Sequence, residues 1–457
     1  MSAHHGMPGL YPGDLCSFNH TQQDGDRFGR MFDLPPLYND PDVLKDIGKA
    51  NGSMQATARA AKSKTVPVGH VFFGQFIDHD ITLDVTSSFQ EVNRASDIPN
   101  TRTPTLDLDC VYGSGPEASN FLYEAKGAFK GAKLVHGKTD LQRNGQGVAL
   151  IGDFRNDENR IVSQLQLGMI RLHNFFCDEL GDELSGHDLF EAARRETTWH
   201  YQWAVVNDFL LHMCGQHVVD DILSNGRHFY TPETPFIPVE FSVAAYRFGH
   251  SMAPQQIQIQ ENGERLNLFF DKLGSFEKVK SAIEVVDWAE VFLVPGTGRK
   301  VQPAEKCDAK MAGFLLDLKF IDSNDPADRS LAARNLLRGQ SFLLPSGEQV
   351  AKAMGRSEHE IGEVTEAACD FHPALSKGTP LWLYVLLEGA RLGRGGDPKK
   401  KGEGLGPVGG RIVAEVLIGL LECDSRSWLA TNRSWSPAPG RKTIGELLSL
   451  PPKLAYS

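Results

Sequence analysis

The fold is decided by the stretch VPVGHVFFGQFIDHDITLD, which runs from Val66 to Asp84. If this stretch is helical, its 100° per residue places Gln75, Asp78 and His79 on one face, with phenylalanine side chains packed around them. Ionised carboxylates are costly to bury, so each aspartate beside the histidine must be coordinated, covalently bonded or hydrogen-bonded. Taken alone, the stretch fits equally well a core helix with one hydrogen-bonded histidine.

Length, composition and charge exclude several classes of protein. The chain has 457 residues, of which 41% are hydrophobic and 23% are charged, so it can bury a core large enough to enclose a cofactor. A net charge of -11 argues against nucleic acid or an anionic membrane surface as the main partner. The seven cysteines are scattered and form no CxxC pair, which predicts buried free thiols.

The ends and the apolar runs bear on location and domain organisation. The start of the chain lacks the basic and apolar regions of a secretory signal. The longest apolar runs, 381–387 and 412–421, are too short to span a bilayer, so a cytoplasmic protein is expected, with leaderless export left open. Residues 1–40 are rich in glycine, proline, aspartate and histidine, which predicts an arm lying on one domain of residues 41–457.

Hydrophobic periodicity predicts a mainly α protein. After 66–84, helical patterns recur at about 159–184, 187–222, 239–252, 277–291, 330–338, 359–368 and 410–422. Alternating strand patterns are scarce, and 255–260 is the best candidate. We therefore expect a single large helical domain with very little β structure.

An oxygen-rich stretch follows the first predicted helix. Oxygen-bearing side chains stand at every second position, namely Thr103, Thr105, Asp107 and Asp109. An extended loop would present them along one side, and hard oxygen ligands at this density suit calcium. Asp80 points about 100° away from the neighbouring histidine and can complete the shell. An acidic turn without a metal is the alternative.

The stretch 152–158 opens the next long helix. Arg155 and Glu158 lie three residues apart, so both can face one cavity at a helix N-terminus. A surface ion pair between them is the simpler alternative.

A second histidine, His250, ends an apolar helical stretch with the sequence YRFGH. A histidine that ligates a metal needs its other ring nitrogen held by a hydrogen bond, and Asn335 can provide this. Arg247 and Arg338 flank the pair and can match two carboxylates of a ligand.

Together these motifs resemble those of the animal-type haem peroxidases, the peroxidase-cyclooxygenase superfamily. The resemblance rests on GQFIDHD at 74–80, the oxygen-rich stretch up to Ser114, RNDE at 155–158 with RLHN at 171–174, RFGH at 247–250, and Arg334-Asn335 with Arg338. Each motif keeps the family's internal spacing, and the stretches 343–351 and 406–416 look like the bacterial members. The resemblance implies a helical fold that binds haem b and calcium.

The resemblance assigns roles on the two sides of the haem. It makes His79 the distal base, Gln75 its neighbour in the halide and water site, and Arg155 the distal arginine. It makes His250 the proximal iron ligand and Asn335 its hydrogen-bond partner. The chemistry agrees, because a neutral imidazole can carry the peroxide proton from one oxygen to the other, and a fixed guanidinium stabilises the charge that develops.

Further roles concern the haem edge and the calcium ion. Asp78 and Glu158 match carboxylates that form ester bonds with haem methyl groups. Arg247 and Arg338 match residues near the propionates. The residues that match the calcium site are Asp80, Thr103, Thr105, Asp107 and Asp109. Many relatives have a serine at the position of Asp109, which here would add a negatively charged ligand.

The implied activity is that of a peroxidase, an oxidoreductase that responds to oxidative stress. Its partners would be hydrogen peroxide and a small anion, namely iodide, bromide or thiocyanate, or a phenolic donor. Asn159 stands where the chloride-oxidising mammalian enzyme has a methionine bonded to a haem vinyl group, so chloride oxidation is not expected.

Two other activities fit the same motifs. The first alternative is a haem-dependent fatty-acid dioxygenase of the cyclooxygenase branch, whose radical tyrosine lies three residues before the proximal histidine. This chain has Arg247 there and Tyr246 one position earlier, which turns the side chain by about 100°. The second is a haem-binding relative without activity, against which the intact pair of histidines argues.

Overall fold

The computed structural model describes residues 27–56, 61–87, 91–269, 271–274 and 276–452. About half of the chain is helical and about 6% is strand, which confirms the mainly α prediction. Residues 1–26, most of the predicted N-terminal arm, lie outside the described residues. Residues 27–40 run along the core, where Phe28 and Phe32 are buried, while the boundary at residue 40 stays a prediction.

The longer helices build the body of the protein. In chain order they are α1 (Pro41–Gly48), α2 (Gly69–Ile81), α5 (Arg160–Leu180), α6 (Gly186–Ala204), α8 (Gln216–Asn225), α11 (Leu331–Ser341), α13 (Glu358–Phe371), α14 (Leu381–Arg391) and α15 (Pro407–Cys423). Between them lie shorter helices: α3 (Asp109–Tyr112), α4 (Gly115–Ala118), α7 (Leu210–Met213), α9 (Gly249–Met252), α10 (Trp288–Val291), α12 (Gly347–Ala353), α16 (Trp428–Thr431) and α17 (Ile444–Ser449). Within the described residues, no helix is both long and apolar enough to cross a lipid bilayer.

The strands are short and pair two by two. Strand β1 (Phe28–Gly29) lies parallel to β3 (Ile237–Pro238). Two antiparallel pairs join β2 (Lys62–Pro67) to β6 (Pro303–Glu305) and β4 (Gln256–Ile257) to β5 (Leu266–Asn267). Of the last pair, β4 lies within the predicted strand 255–260, whereas β5 was not predicted. These pairs connect loops to the helical body. In the part of the chain described, they form no larger sheet.

Helix α5 shows how the sequence builds the core. Ile161, Leu165, Leu172 and Phe176 recur at helical spacing, and all four are buried. Each such side chain contributes about 1.5–3 kcal/mol by leaving water. The helix starts at Asn159, whose side chain accepts hydrogen bonds from the backbone N–H groups of the first turn. α2 packs against this helix and against α9, so the predicted site lies at the centre of the core.

Buried carboxylates hold loops onto the helices. Glu240 accepts hydrogen bonds from the backbone of Met31 and Phe32, which ties the N-terminal segment to the chain before His250. Glu388 on α14 accepts from the first N–H groups of α15, including that of Val408. Each carboxylate satisfies orphan donors that would otherwise be costly to bury.

Two predicted helices are wrong in detail. The helix expected over 187–222 is divided, because the α-helical ladder passes into a π-helix at Val205–Phe209 and breaks at Gly215, whose φ of 98° favours glycine. The helix expected over 277–291 is mostly irregular. There the backbone N–H groups of Val279 and Asp287 bond to the side chain of Asp140 and the backbone oxygen of Ile259, so tertiary contacts replace the helical ladder.

Other local features were missed or only partly confirmed. The span 239–252 is helical but combines a π-helix (Glu240–Ala244), a 3-10 helix (Ala245–Phe248) and α9. The predicted set omits α1, α12 and α14, and α14 is buried along nearly its whole length, so it shows no polar face. The described cysteines are free thiols; four are buried, while Cys369 and Cys423 are partly exposed.

Candidate functional site

A cavity of about 330 Å³ lies between α2 and the segment that leads into α9. Of the predicted site residues, it is lined by Gln75, Asp78, His79, Glu158, Arg247 and His250. The remaining wall is largely apolar and includes Phe72, Phe209, Leu315 and Leu318. The structure therefore brings together side chains as distant in sequence as Gln75 and His250, which are 175 positions apart.

His79 is held in one tautomer by a chain of hydrogen bonds. Its Nδ1 lies 2.8 Å from Oδ1 of Asn156, whose Nδ2 donates to Oε1 of Gln166 at 2.9 Å. The amide of Gln166 donates in turn to the backbone oxygen of Cys110, which can only accept. Nδ1 of His79 must therefore donate, and Nε2 keeps its lone pair. Burial, helped by the charge of Arg155, lowers the pKa of His79 to about 4.

Arg155 lies beside His79 but does not line the cavity. Its guanidinium pairs with Asp153 at 2.6 Å and donates to the backbone oxygens of His79 and Thr82 at the C-terminal end of α2. These are the carbonyls that a helix end leaves without partners, and a cation there is favoured by the helix dipole. The structure thus places Arg155 as a cap of the histidine helix.

The carboxylates predicted for the haem edge both reach the cavity. Glu158 accepts a hydrogen bond from the side-chain amide of Gln75, and burial raises the pKa of Glu158 to about 7. Asp78 accepts from the hydroxyl of Thr82 at 2.9 Å. Asn159 donates to Gln75 at 3.4 Å while capping α5. Gln75 is therefore held between two residues of the α5 start.

His250 lies at the second position of α9 and contacts Asn335 as predicted. Nδ2 of Asn335 is 2.9 Å from Nδ1 of His250, and Oδ1 of Asn335 accepts from Arg247 at 3.3 Å. Burial lowers the pKa of His250 to about 3, so the ring is neutral. In this orientation the amide donates to Nδ1, which leaves the proton of the neutral ring on Nε2.

Arg338 and Tyr246 differ from the sequence-based expectation. Arg338 pairs with Asp84 and donates to Ser87 at 2.7 Å, so it lies near the end of the 66–84 stretch and not on the cavity wall. Tyr246, one position away from the expected radical site, lines the cavity and donates its hydroxyl hydrogen to the backbone oxygen of Gly74 at 3.1 Å.

The oxygen-rich loop meets α2 as predicted. Carboxylate oxygens of Asp80, Asp107 and Asp109 lie within 4.8 Å of one another. Oδ1 of Asp80, Oδ1 of Asp109 and the hydroxyl of Thr105 are buried without a hydrogen bond in the described residues, although Arg102 lies 3.4 Å from Asp109. The hydroxyl of Thr103 instead donates to Asp107.

The electrostatics of this loop favour an additional cation. Burial raises the pKa values of Asp80 and Asp107 and raises the pKa of Asp109 to about 7, with the neighbouring carboxylates adding to the shift at Asp80 and Asp109. Unpaired oxygen atoms from two carboxylates and a hydroxyl, with the carboxylate of Asp107 beside them, are the donor set that calcium prefers. The residues present therefore fit a calcium ion.

Sequence reasoning missed the residues that orient His79. Asn156 lies inside the quoted RNDE motif, and Gln166 lies on the buried face of α5, but neither was assigned a role. A buried amide on an otherwise apolar helix face is the signal that could have identified Gln166.

Comparisons with known proteins identify a family and related folds. A family model described as animal haem peroxidase matches residues 88–365, a segment that includes Arg155, His250 and Asn335 but starts after α2. Chorion peroxidase of Drosophila melanogaster is 28% identical over 331 residues, which are 63% of this chain and 38% of that protein. The chain thus spans well under half of that relative.

Two solved structures share the fold. Peroxidase A from Dictyostelium discoideum superposes with a TM-score of 0.63 at 16% identity, covering 92% of this chain and 93% of that one. The fatty acid alpha-dioxygenase of Arabidopsis thaliana superposes with a TM-score of 0.61 at 16% identity, covering 88% and 72%.

Proposed function

The chain belongs to the animal haem peroxidase family, and from that premise we propose that it is a haem-dependent peroxidase that reduces hydrogen peroxide. The observation that carries the proposal is the pair of neutral histidines on one cavity, His79 held by Asn156 and His250 held by Asn335. The peroxidase-family homologues of the chain support its assignment as an oxidoreductase. Bound haem would supply the redox chemistry that cleaves the peroxide bond.

His79 acts as the base of this reaction. With Nδ1 committed to Asn156, Nε2 can accept a proton from peroxide and return it to the leaving oxygen, a role worth about 10²–10⁴ in rate. Burial keeps the imidazole neutral, the charge of Arg155 adds to this effect, and Arg155 fixes the end of α2 through its backbone contacts. The resemblance gives Arg155 the role of a cation beside the peroxide. We propose that its first effect is to position His79.

His250 is the residue that would hold the iron, with Asn335 as its partner. A metal-binding Nε2 must be free of its proton, so Nδ1 must donate to an oxygen. A half-turn of the Asn335 amide presents Oδ1 to His250 and gives up the 3.3 Å bond from Arg247, at a cost of about 1 kcal/mol. Arg247 then remains available to a carboxylate of the cofactor.

Asp78 and Glu158 are the carboxylates that would meet the edge of a bound haem. Both line the cavity, and Glu158, with its pKa of about 7, is partly protonated at neutral pH. We propose these two carboxyl groups as the sites of the ester links that the resemblance implies.

The first prediction concerns the roles of the two histidines. His250→Ala should lose most of its bound haem, because its ligand to iron is gone. His79→Ala should keep haem but react with peroxide about 10²–10⁴ times more slowly, since only the base is missing. Haem content and the absorption change after peroxide addition measure both. Loss of haem from His79→Ala with normal ligation in His250→Ala would reverse the assignment.

The second prediction concerns pH. The rate constant for peroxide should stay level down to about pH 5 and fall tenfold per unit below the His79 pKa of about 4, because only the neutral ring accepts a proton. Between pH 6.5 and 4 the unfolded chain binds more protons at this residue, so acid also lowers stability. Asn156→Asp should move the acid limb to higher pH, since a carboxylate favours the charged ring. An unchanged limb in that variant would remove His79 as the titrating base.

The third prediction concerns calcium. We propose one calcium ion between Asp80 and the 103–109 loop, so metal analysis should find about one per chain and a chelator should lower the melting temperature. Asp107→Asn should lose both the ion and the response to chelator. Asp182→Asn, in an exposed turn before α6, is the matched control and should behave as the unchanged protein. Calcium-free protein whose stability ignores the chelator would contradict the site.

The fourth prediction concerns the reducing substrate. We propose iodide, bromide, thiocyanate and phenolic donors as substrates, because the side-chain amide of Gln75 can donate to a small anion in the cavity. Chloride, the hardest of these halides to oxidise, should be turned over little at neutral pH, since Asn159 cannot form the link that a methionine forms. Steady-state rates with each donor decide this, and chloride turnover equal to that of bromide would overturn it.

A second candidate function, fatty-acid dioxygenation, is favoured by one observation, the position of Tyr246 on the cavity wall. The fifth prediction separates it from the first. Tyr246→Phe removes one hydrogen bond to Gly74, about 1 kcal/mol, and should leave peroxide-dependent oxidation of donors nearly unchanged. Oxygen uptake with a fatty acid in the unchanged protein, abolished in Tyr246→Phe, would establish the dioxygenase instead.

A further inference from the structure

Three side chains that play no part in the proposed reaction meet at the N-terminal end of α2. His70 is the second residue of that helix, Asp208 lies in the π-helix after α6, and His212 lies on α7. Nε2 of His70 is 2.9 Å from Oδ1 of Asp208, and Nδ1 of His212 is 3.2 Å from the same oxygen. His70 and Asp208 are buried, whereas His212 reaches the surface.

The spacing of these atoms is that of ligands around a small metal ion. All three donor atoms lie within 4.8 Å of one another. A transition metal bound at about 2.0–2.1 Å holds neighbouring nitrogen and oxygen ligands about 3 Å apart. The two shorter distances already have that value, so an ion could enter once Nδ1 of His212 gives up its 2.9 Å hydrogen bond to the backbone oxygen of Asp208.

The backbone presents the ligands in a fixed orientation. Asp208 and His212 are four residues apart at the junction of a π-helix with α7, and π-turns in helices often occur at functional sites. The second carboxylate oxygen, Oδ2 of Asp208, accepts a hydrogen bond from the backbone N–H of Ile444 at 3.0 Å. That contact orients Oδ1 toward the two imidazoles, as outer-shell partners orient metal ligands.

The charge of the cluster also calls for a cation. Among the described residues, Asp208 forms ion-pair contacts only with the two histidines, and neither lysine nor arginine takes part. A buried carboxylate is costly in the interior unless it is paired or coordinates a metal.

We propose that His70, Asp208 and His212 bind a divalent transition metal of the zinc class, with a fourth position left for water. Two imidazoles and one carboxylate are the ligand set of such ions, whereas calcium prefers oxygen alone. The ion anchors the N-terminal end of α2. The oxygen-rich loop meets Asp80 at the other end of the same helix, so the helix that carries His79 is held at both ends.

The experiment is zinc binding by the full-length holoprotein, measured by competition with a chromophoric chelator and by metal analysis. We expect one zinc per chain in addition to iron and calcium. His212→Gln, which changes the most exposed of the three ligands, should weaken binding by about tenfold or more. His359→Gln is the matched control, because this histidine is exposed on α13 and far from the cluster in sequence, and it should bind zinc like the unchanged protein.

A second measurement keeps the test valid if the variant does not fold. Zinc X-ray absorption of the unchanged protein should show nitrogen and oxygen neighbours with imidazole scattering and no sulfur. Sulfur ligation, unchanged affinity in His212→Gln, or absence of binding at micromolar zinc would each overturn the proposal and leave a histidine–carboxylate ion pair only. The result does not depend on peroxide chemistry, so it stands or fails separately from the proposed function.

Discussion

The burial of polar side chains on one apolar helix is the constraint on which the site depends. α2 places His79 and Asp80 side by side in the core, where an unsatisfied polar group costs several kcal/mol, about 2–7 by transfer measurements. Each residue must therefore have a specific partner. His79 meets the amides of Asn156 and Gln166, and Asp80 meets the oxygen-rich loop and the hydroxyl of Tyr201. The hydrogen bonds that make it possible to bury His79 thus also set its tautomer.

Asp153 links the surroundings of His79 to the oxygen-rich loop that meets Asp80. This buried carboxylate pairs with Arg155, which caps the end of α2, and with Arg102, which also lies near Asp109 of the loop. The two guanidinium groups hold the pKa of Asp153 at about 2, although burial opposes them. A cation bound in the loop would raise the electrostatic potential at Arg102. The loop and the base therefore belong to one electrostatic network. Removing one charged group leaves its partners buried without a compensating charge.

The irregular helices serve the same site. The π-helix at Val205–Phe209 brings Phe209 against Gly74, where a Cβ atom would lie 3.0 Å from the ring. The π-helix at Glu240–Ala244 precedes the turn that carries Tyr246 and His250 to the cavity. π-turns cost regular hydrogen bonding and are retained where they place side chains that an α-helix would turn away. Here they place both the aromatic wall and the second histidine.

Local sequence determined the helical class, most long helices and the identity of the residues around the cavity, because periodicity and residue type are local properties. Gln75, His79, Glu158 and His250 meet as expected. Other features depended on contacts between distant segments. Arg155 caps a helix end because Asp153 and the carbonyls of α2 lie within its reach, and Arg338 turns to Asp84 for the same reason.

The helical patterns failed where tertiary contacts outweighed local preference. Residues 277–291 look helical alone, but their N–H groups find better partners across the chain. The cluster of His70, Asp208 and His212 is equally invisible in sequence, since 138 positions separate its first two members. The sequence by itself determined which chemistry the chain carries, and only the tertiary structure decided which groups meet, because hydrogen bonds and burial act between segments that no local pattern connects.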